Sequence, residues 1–191
     1  MNLKSMGKIN FREQRPVRTC TKTYKNYRNY KLYLAEDFYH KCGYTNCSDF
    51  WFGGIGNFHI DHFIPWSKHI DQPELKTDYQ NLVYCCSYVN ILKSDDITPY
   101  LDPCVEDYNL HFQRDKDGAI VPITPIATYM YNRMKMYLFR YKIIWMLDNL
   151  EFKMSKLRCI IEQTGDIKAK DLYIQLAFEY EDYKKYLRAN Q

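Results

Sequence analysis

The chain has 191 residues, 46% hydrophobic and 17% aromatic, with a net charge of +4. That is enough apolar material for one domain, or for a small core with an extension, and it excludes global disorder. No run reaches the ~18 uninterrupted apolar residues of a membrane span, and the start, MNLKSMGKINFREQ, lacks the apolar stretch of a secretory signal. Seven cysteines, an odd number, speak against a secreted disulfide scaffold, so a reducing, cytoplasmic setting is expected.

Residues 1–23 are polar and basic, with a turn expected at Arg15-Pro16. From Thr23 to His40 the spacing of Tyr27, Tyr30, Leu34 and Phe38 predicts a helix. Residues 41–58, with Gly43 and the cluster Gly53-Gly54-Ile55-Gly56, read as loop. Asn57–Ile64 reads as a short strand, residues 66–80 as a connection containing Pro73, Asn81–Tyr84 as a second short strand or turn, and Ser87–Lys93 as a short helix. Four prolines make 98–125 mostly irregular, apart from a hairpin of His111–Arg114 and Ala119–Ile123 about Lys116-Asp117-Gly118. Thr124 as N-cap and Pro125 at the first helical position open a long amphipathic helix ending near Gly165, and a second helix runs from about Ile167 to Leu187.

Charge is unevenly placed. Residues 1–31 hold nine basic side chains and one acid, Glu13, leaving the remainder at −4. A basic arm on a mildly acidic body points to a polyanion, with Arg12, Arg15, Arg18 and Lys22 as candidate nucleic-acid contacts.

The chemistry concentrates in Phe58-His59-Ile60-Asp61-His62-Phe63-Ile64-Pro65-Trp66 and in the later stretch from Tyr79 to Asp95. Phosphodiester hydrolysis needs a base that is neutral near pH 7, which suits a histidine. It also needs charge stabilisation at phosphate oxygens, which suits a hard divalent cation such as Mg²⁺ with carboxylate, amide and water ligands. Asp61, His62 and Asn90 supply that set. Adjacent strand residues point to opposite faces, so Asp61 and His62 can serve one phosphate only at a bulge or a strand end.

Asp61-His62-Phe63-Ile64-Pro65, then Asn81-Leu82, then Asn90-Ile91-Leu92-Lys93 resembles the signature of HNH (ββα-metal) endonucleases, in the subtype with Asn in place of the last His. The resemblance implies an α+β protein. Its parts would be a basic N-terminal arm and helix at 1–40, a nuclease core at 41–100 and a mainly helical extension at 101–191. It implies His62 as general base, Asp61 and Asn90 as Mg²⁺ ligands with His59 assisting, Asn81 as the residue that holds the base-bearing loop, and Lys93 near a phosphate. The phrases HFIPWS, DYQNLVYCC, NILKSDD and YLDPCVEDYNLHFQRDKDGAIVP are similar to HNH nucleases of bacterial anti-phage defence, of the Septu and retron-associated kind. DNA is then the expected substrate, with RNA, or a non-catalytic subunit of HNH shape, as the alternatives. No nucleotide-binding Gly-x-x-x-x-Gly-Lys-Ser/Thr loop is present, so a companion ATPase would have to be another chain, and the apolar stripe after Pro125 is a candidate surface for it.

Many HNH domains bind a structural zinc through two Cys-x-x-Cys pairs. Here Cys42 is followed at that spacing by Thr45, and Cys86 by Val89. Cys47 and Cys85 are irregular substitutes, and the joint loss predicts that packing replaces the zinc.

Overall fold

The computed structural model describes residues 9–189. The architecture is α+β, with five strands in two small antiparallel sheets and five α-helices among the described residues. Contacts divide it into two compact units, one running to Lys116 and resuming at 120–137, the other made of 117–119 and the chain from Leu138 onward. None of the described helices is long and apolar enough to cross a membrane.

The first unit begins with β1 (Ile9–Asn10), followed by an extended stretch that reaches a 3-10 turn at Tyr27–Tyr30 and helix α1 (Lys31–Asp37). The helix expected from Thr23 is shorter at both ends. Asn26 caps the turn by accepting the Arg28 N–H, and the backbone turns left-handed at Tyr39 and His40. Strands β2 (Phe58–His62) and β3 (Leu82–Cys86) pair antiparallel from Phe58↔Cys86 to His62↔Leu82, and helix α2 (Ser87–Lys93) follows β3 without a loop. All five residues of β3 are buried. Its apolar run, Leu82-Val83-Tyr84-Cys85-Cys86, therefore shows no alternation, because both its faces are covered. Gly43 is fitted against that strand. Its N–H donates to the Tyr84 carbonyl at 2.8 Å, and a Cβ there would meet Phe38 at 2.7 Å and Val83 at 2.8 Å.

A second sheet has the order β1-β4-β5, where β4 is Phe112–Arg114 and β5 Ile120–Pro122. The hairpin was legible in the sequence, while the addition of Ile9–Asn10 to its edge was not. Phe11, Tyr108 and Phe112 pack with ring centroids 5.3–5.7 Å apart beside this sheet.

Helix α3 (Pro125–Arg133) starts as expected, with the Thr124 hydroxyl accepting from the Ala127 N–H, but it does not continue to Gly165. The chain breaks at 134–138, where Lys135 has φ +50° and the Met136 N–H donates to the Tyr131 carbonyl. Met134 and Met136 are both buried. Residues two apart lie on different sides of a helix, so the break is what lets both side chains enter the core.

The second unit is a pair of packed helices, α4 (Phe139–Thr164) and α5 (Ile167–Ala189). Gly165, at φ +68°, ends α4 with its N–H on the Ile161 carbonyl. The Asp166 carboxylate then accepts from the N–H groups of Lys168 and Ala169 and opens α5. This unit leaves Phe152, Ile167 and Phe178 well exposed.

Candidate active site

The site grows from β2 and α2. Residues two apart on a strand share a face, so His59 and Asp61 both turn towards α2. Residues three apart on a helix share a face, so Asn90 and Lys93 both turn towards β2. The result is two stacked pairs. The Asn90 amide nitrogen lies 3.3 Å from His59 Nδ1, and the Lys93 ammonium lies 3.1–3.2 Å from both Asp61 oxygens.

The two pairs differ in setting. Asp61 is 4% exposed and Lys93 fully buried. Asp61 also accepts the Tyr44 hydroxyl at 2.6 Å, and Lys93 donates to the His62 carbonyl at 2.9 Å. Burial pushes the Asp61 carboxyl above the usual carboxylate range, while Lys93 and the Tyr44 hydroxyl pull it back. His59, by contrast, is exposed and Asn90 half-buried.

The register of β2 with β3 runs without interruption, so no bulge separates Asp61 from His62. His62 is the last residue of β2, and that strand end lets both residues line a single cleft of about 470 Å³, together with Tyr27, Pro65, Trp66, Asn90 and Asp95. His62 Nε2 lies 3.0 Å from the Lys76 carbonyl. A carbonyl only accepts, so the proton of the neutral ring sits on Nε2, and Nδ1 keeps its lone pair. Burial lowers the His62 pKa below that of a free imidazole, assisted by the charges of Lys93 and Lys76 and opposed by the carbonyl hydrogen bond. The ring is neutral at pH 7. Tyr27 and Trp66 meet it edge-on, with centroids at 4.8 and 6.4 Å.

The loop after His62 is clamped by Asn81. Its side-chain oxygen accepts the Ile64 N–H at 2.8 Å, its amide nitrogen donates to the Ile64 and Leu75 carbonyls at 2.9 Å, and its own carbonyl accepts the Phe63 N–H at 2.8 Å. One buried side chain therefore fixes both ends of the 63–81 connection.

An amide oxygen from Asn90, an imidazole from His59 and a carboxylate from Asp61 suit a hard divalent ion that keeps most of its water. The assignment of Asn90 nitrogen and oxygen is interchangeable by rotation, so its oxygen can take the position beside His59. Asp61 keeps lone pairs beyond those used by Tyr44 and Lys93. Among the described residues no group of three or more His, Cys, Asp or Glu side chains is placed to hold a metal. A cation here would therefore need Asn90 and solvent as well as His59 and Asp61.

Several expectations need correction. Lys93 does not reach outward to a phosphate, because its ammonium is buried against Asp61 and the His62 carbonyl. Arg12 is likewise internal. Its guanidinium donates to the Gly43 carbonyl at 2.7 Å and lies 4.0 Å from the Tyr108 ring centre, and burial lowers its pKa to about 10. Arg18 donates to the Leu82 carbonyl and pairs with Asp102 at 2.9 Å, its side chain 3% exposed. Arg12 and Arg18 thus tie the arm to the body, and neither guanidinium is open to a phosphate. Arg15 and Lys22 stay at the surface, on the Val105 carbonyl and the Tyr33 hydroxyl. Lys4 and Lys8 lie outside the described residues.

The four cysteines near the core do not converge. The Cys42 thiol hydrogen-bonds with Cys86 and with Thr45, and Cys47 Sγ lies 3.7 Å from the Thr45 carbonyl. Cys85 is the strand neighbour of Cys86, so it faces the other way, towards Asp61.

Sequence reasoning missed Tyr44, Tyr27, Arg28 and Lys31. The last three line a second cavity with His59 and Asn90, yet they precede the motif by about thirty residues and carry no local signal. Trp66 and Lys76 were within the motif region and had no role assigned. No family model, curated protein or solved structure matches the chain.

Proposed function

We propose that the chain is a divalent-metal-dependent endonuclease of the HNH class, with β2, β3 and α2 as its ββα-metal core and DNA as its substrate. The observation that carries this reading is the state of His62. The ring is neutral, its Nε2 proton is tied to a backbone carbonyl, and its Nδ1 lone pair belongs to a side chain lining an open cleft. That is the condition of a general base prepared to take a proton from water.

The remaining residues divide the work. His62 Nδ1 takes the proton of a water molecule as its oxygen bonds to phosphorus, and the departing sugar oxygen is protonated from solvent. Asn81 keeps the loop beyond the base in register, and Tyr27 and Trp66 hold the imidazole plane. Asn90, His59 and Asp61 would hold the cation, which when bound supplies charge stabilisation at the phosphate. The flanking phrases support a place among nuclease effectors of bacterial anti-phage defence.

The test is cleavage of labelled DNA with Mg²⁺ or Mn²⁺ and with chelator, for the wild type and His62→Ala. Removing the base lowers the rate on the order of 10²–10⁴-fold while the melting curve stays in place. Because the His62 pKa is lowered, the neutral base persists to lower pH. The wild-type rate should be flat through neutrality and fall only below the ordinary imidazole range of about 6.5. Wild-type rates from repurified His62→Ala protein, or no cleavage by the wild type with any divalent cation, would overturn the reading.

A further inference from the structure

The cleft that holds His62 is joined to a second cavity of about 470 Å³, and the two share Tyr27, Ile60 and Asn90. Together they form one groove along β2. Arg28 and Lys31 line one end, His59, Asn90 and His62 the middle, and Trp66 the other. Two aromatic rings therefore bracket the base. Trp66 is 39% exposed although it is the largest apolar side chain of the groove, and the Lys76 ammonium lies 4.5 Å from its ring centre. Ile91, beside Asn90, is 66% exposed and extends the apolar wall. Of the two acids in this cleft, Asp61 is held by Lys93 and Asp95 is paired with Lys68 at 2.8 Å.

A duplex offers a protein its phosphates and groove edges, with the base faces hidden in the stack. An aromatic wall is of use only to a base whose face is free. Cations at one end of a groove and aromatic rings along it match an unpaired strand, whose backbone meets the charges while its bases stack. We propose that the substrate of this site is an unpaired nucleic-acid strand, with one base stacked on Trp66 next to the phosphate that His62 acts on. The inference rests on the nuclease reading for the chemistry, but not for the binding.

The experiment measures binding to the intact protein in chelator, so that nothing is cut. Trp fluorescence and ligand anisotropy are followed for a single-stranded DNA, the RNA of the same sequence, and the corresponding DNA duplex. The single strands should bind at least tenfold more tightly than the duplex, and the better of the two identifies the sugar. Trp66→Ala should weaken single-strand binding about tenfold or more, in line with the loss of one base–aromatic stack. Trp66→Phe should retain most of it. Trp66→Leu keeps apolar bulk without a ring, so it covers the case in which the alanine variant folds poorly, and it should bind like alanine. A duplex bound as tightly as the single strands, or Trp66→Leu binding single strands like the wild type, would overturn the inference. Tight single-strand binding without cleavage under any metal would instead remove the nuclease reading and leave this one standing.

Discussion

On one side of the cleft every polar group has an answer. Asn81 makes three side-chain hydrogen bonds, Asp61 takes Tyr44 and Lys93, and Lys93 also holds the His62 carbonyl. On the other side Asn90 has one long contact with His59, and His62 keeps a lone pair uncommitted. Both sides come from the same two elements and their flanking loop. Buried polar groups that are fully satisfied rigidify and fix position, whereas exposed groups with open valences are the ones that can meet a ligand. The closed side thus serves placement, with Asp61 reaching the cation from it, while the open side is left to chemistry, and each role can be broken separately.

The largest effect should come from Lys93→Met. Removing one partner of a buried ion pair leaves an uncompensated charge and typically costs about 3–5 kcal/mol. Asp61 already has a raised pKa because of burial, so it would ionise with more difficulty still. The double variant Asp61→Leu/Lys93→Met removes both charges and should recover most of the lost stability in urea unfolding, while remaining inactive. Recovery of activity along with stability would show that the carboxylate serves packing alone.

Asn81→Leu should come next. It leaves the Ile64 N–H and the Ile64 and Leu75 carbonyls without their partner. At about 1–3 kcal/mol for each buried group left unpaired, and with some relaxation of the loop, a loss of roughly 2–3 kcal/mol is expected. Hydrogen exchange should rise across 63–81, and the rate should fall with little change in the metal concentration at half-maximal activity. A wild-type melting curve would mean that the loop is fixed by other contacts.

What the sequence revealed and what it hid follow the same physical division. Ser87–Lys93, the hairpin around Gly118 and the cap at Thr124-Pro125 depend on residues near one another in the chain, and they were legible. Asp61, His62, Asn81 and Asn90 stood out as candidates because the chemistry of each residue type at those spacings is restrictive. The environment of each was not legible, because it is made by distant partners: Tyr44 under Asp61, Tyr27 against His62, Gly43 beneath Arg12. The basic arm shows the cost most clearly. Net charge suggested four phosphate contacts, yet Arg12 and Arg18 are held by carbonyls and an aspartate that lie thirty to ninety residues away. Composition cannot tell a solvated guanidinium from a buried one.

The smallest effect on stability, and the sharpest test of the open side, is Asn90→Ala. Asn90 is half-buried and its side chain holds only the 3.3 Å contact with His59, so its removal should change the unfolding free energy by no more than about 0.5 kcal/mol, as for most surface substitutions. Function should respond differently. A neutral amide oxygen is a weak ligand for a hard cation, and a site that depends on it holds its ion loosely. Removing it should raise the Mg²⁺ concentration needed for half-maximal cleavage and lower the maximal rate. Asn90→His places an imidazole opposite His59. Two nitrogen donors shift preference towards softer ions, so Mn²⁺ or Ni²⁺ should restore more activity than Mg²⁺ does. Metal titrations of Asn90→Ala, Asn90→His and Asn81→Leu, read beside their melting curves, separate the two sides of the cleft. If Asn90→Ala titrates like the wild type while Asn81→Leu shifts the metal dependence, Asn81 and not Asn90 is the amide that serves the cation, and the roles of the two asparagines are reversed.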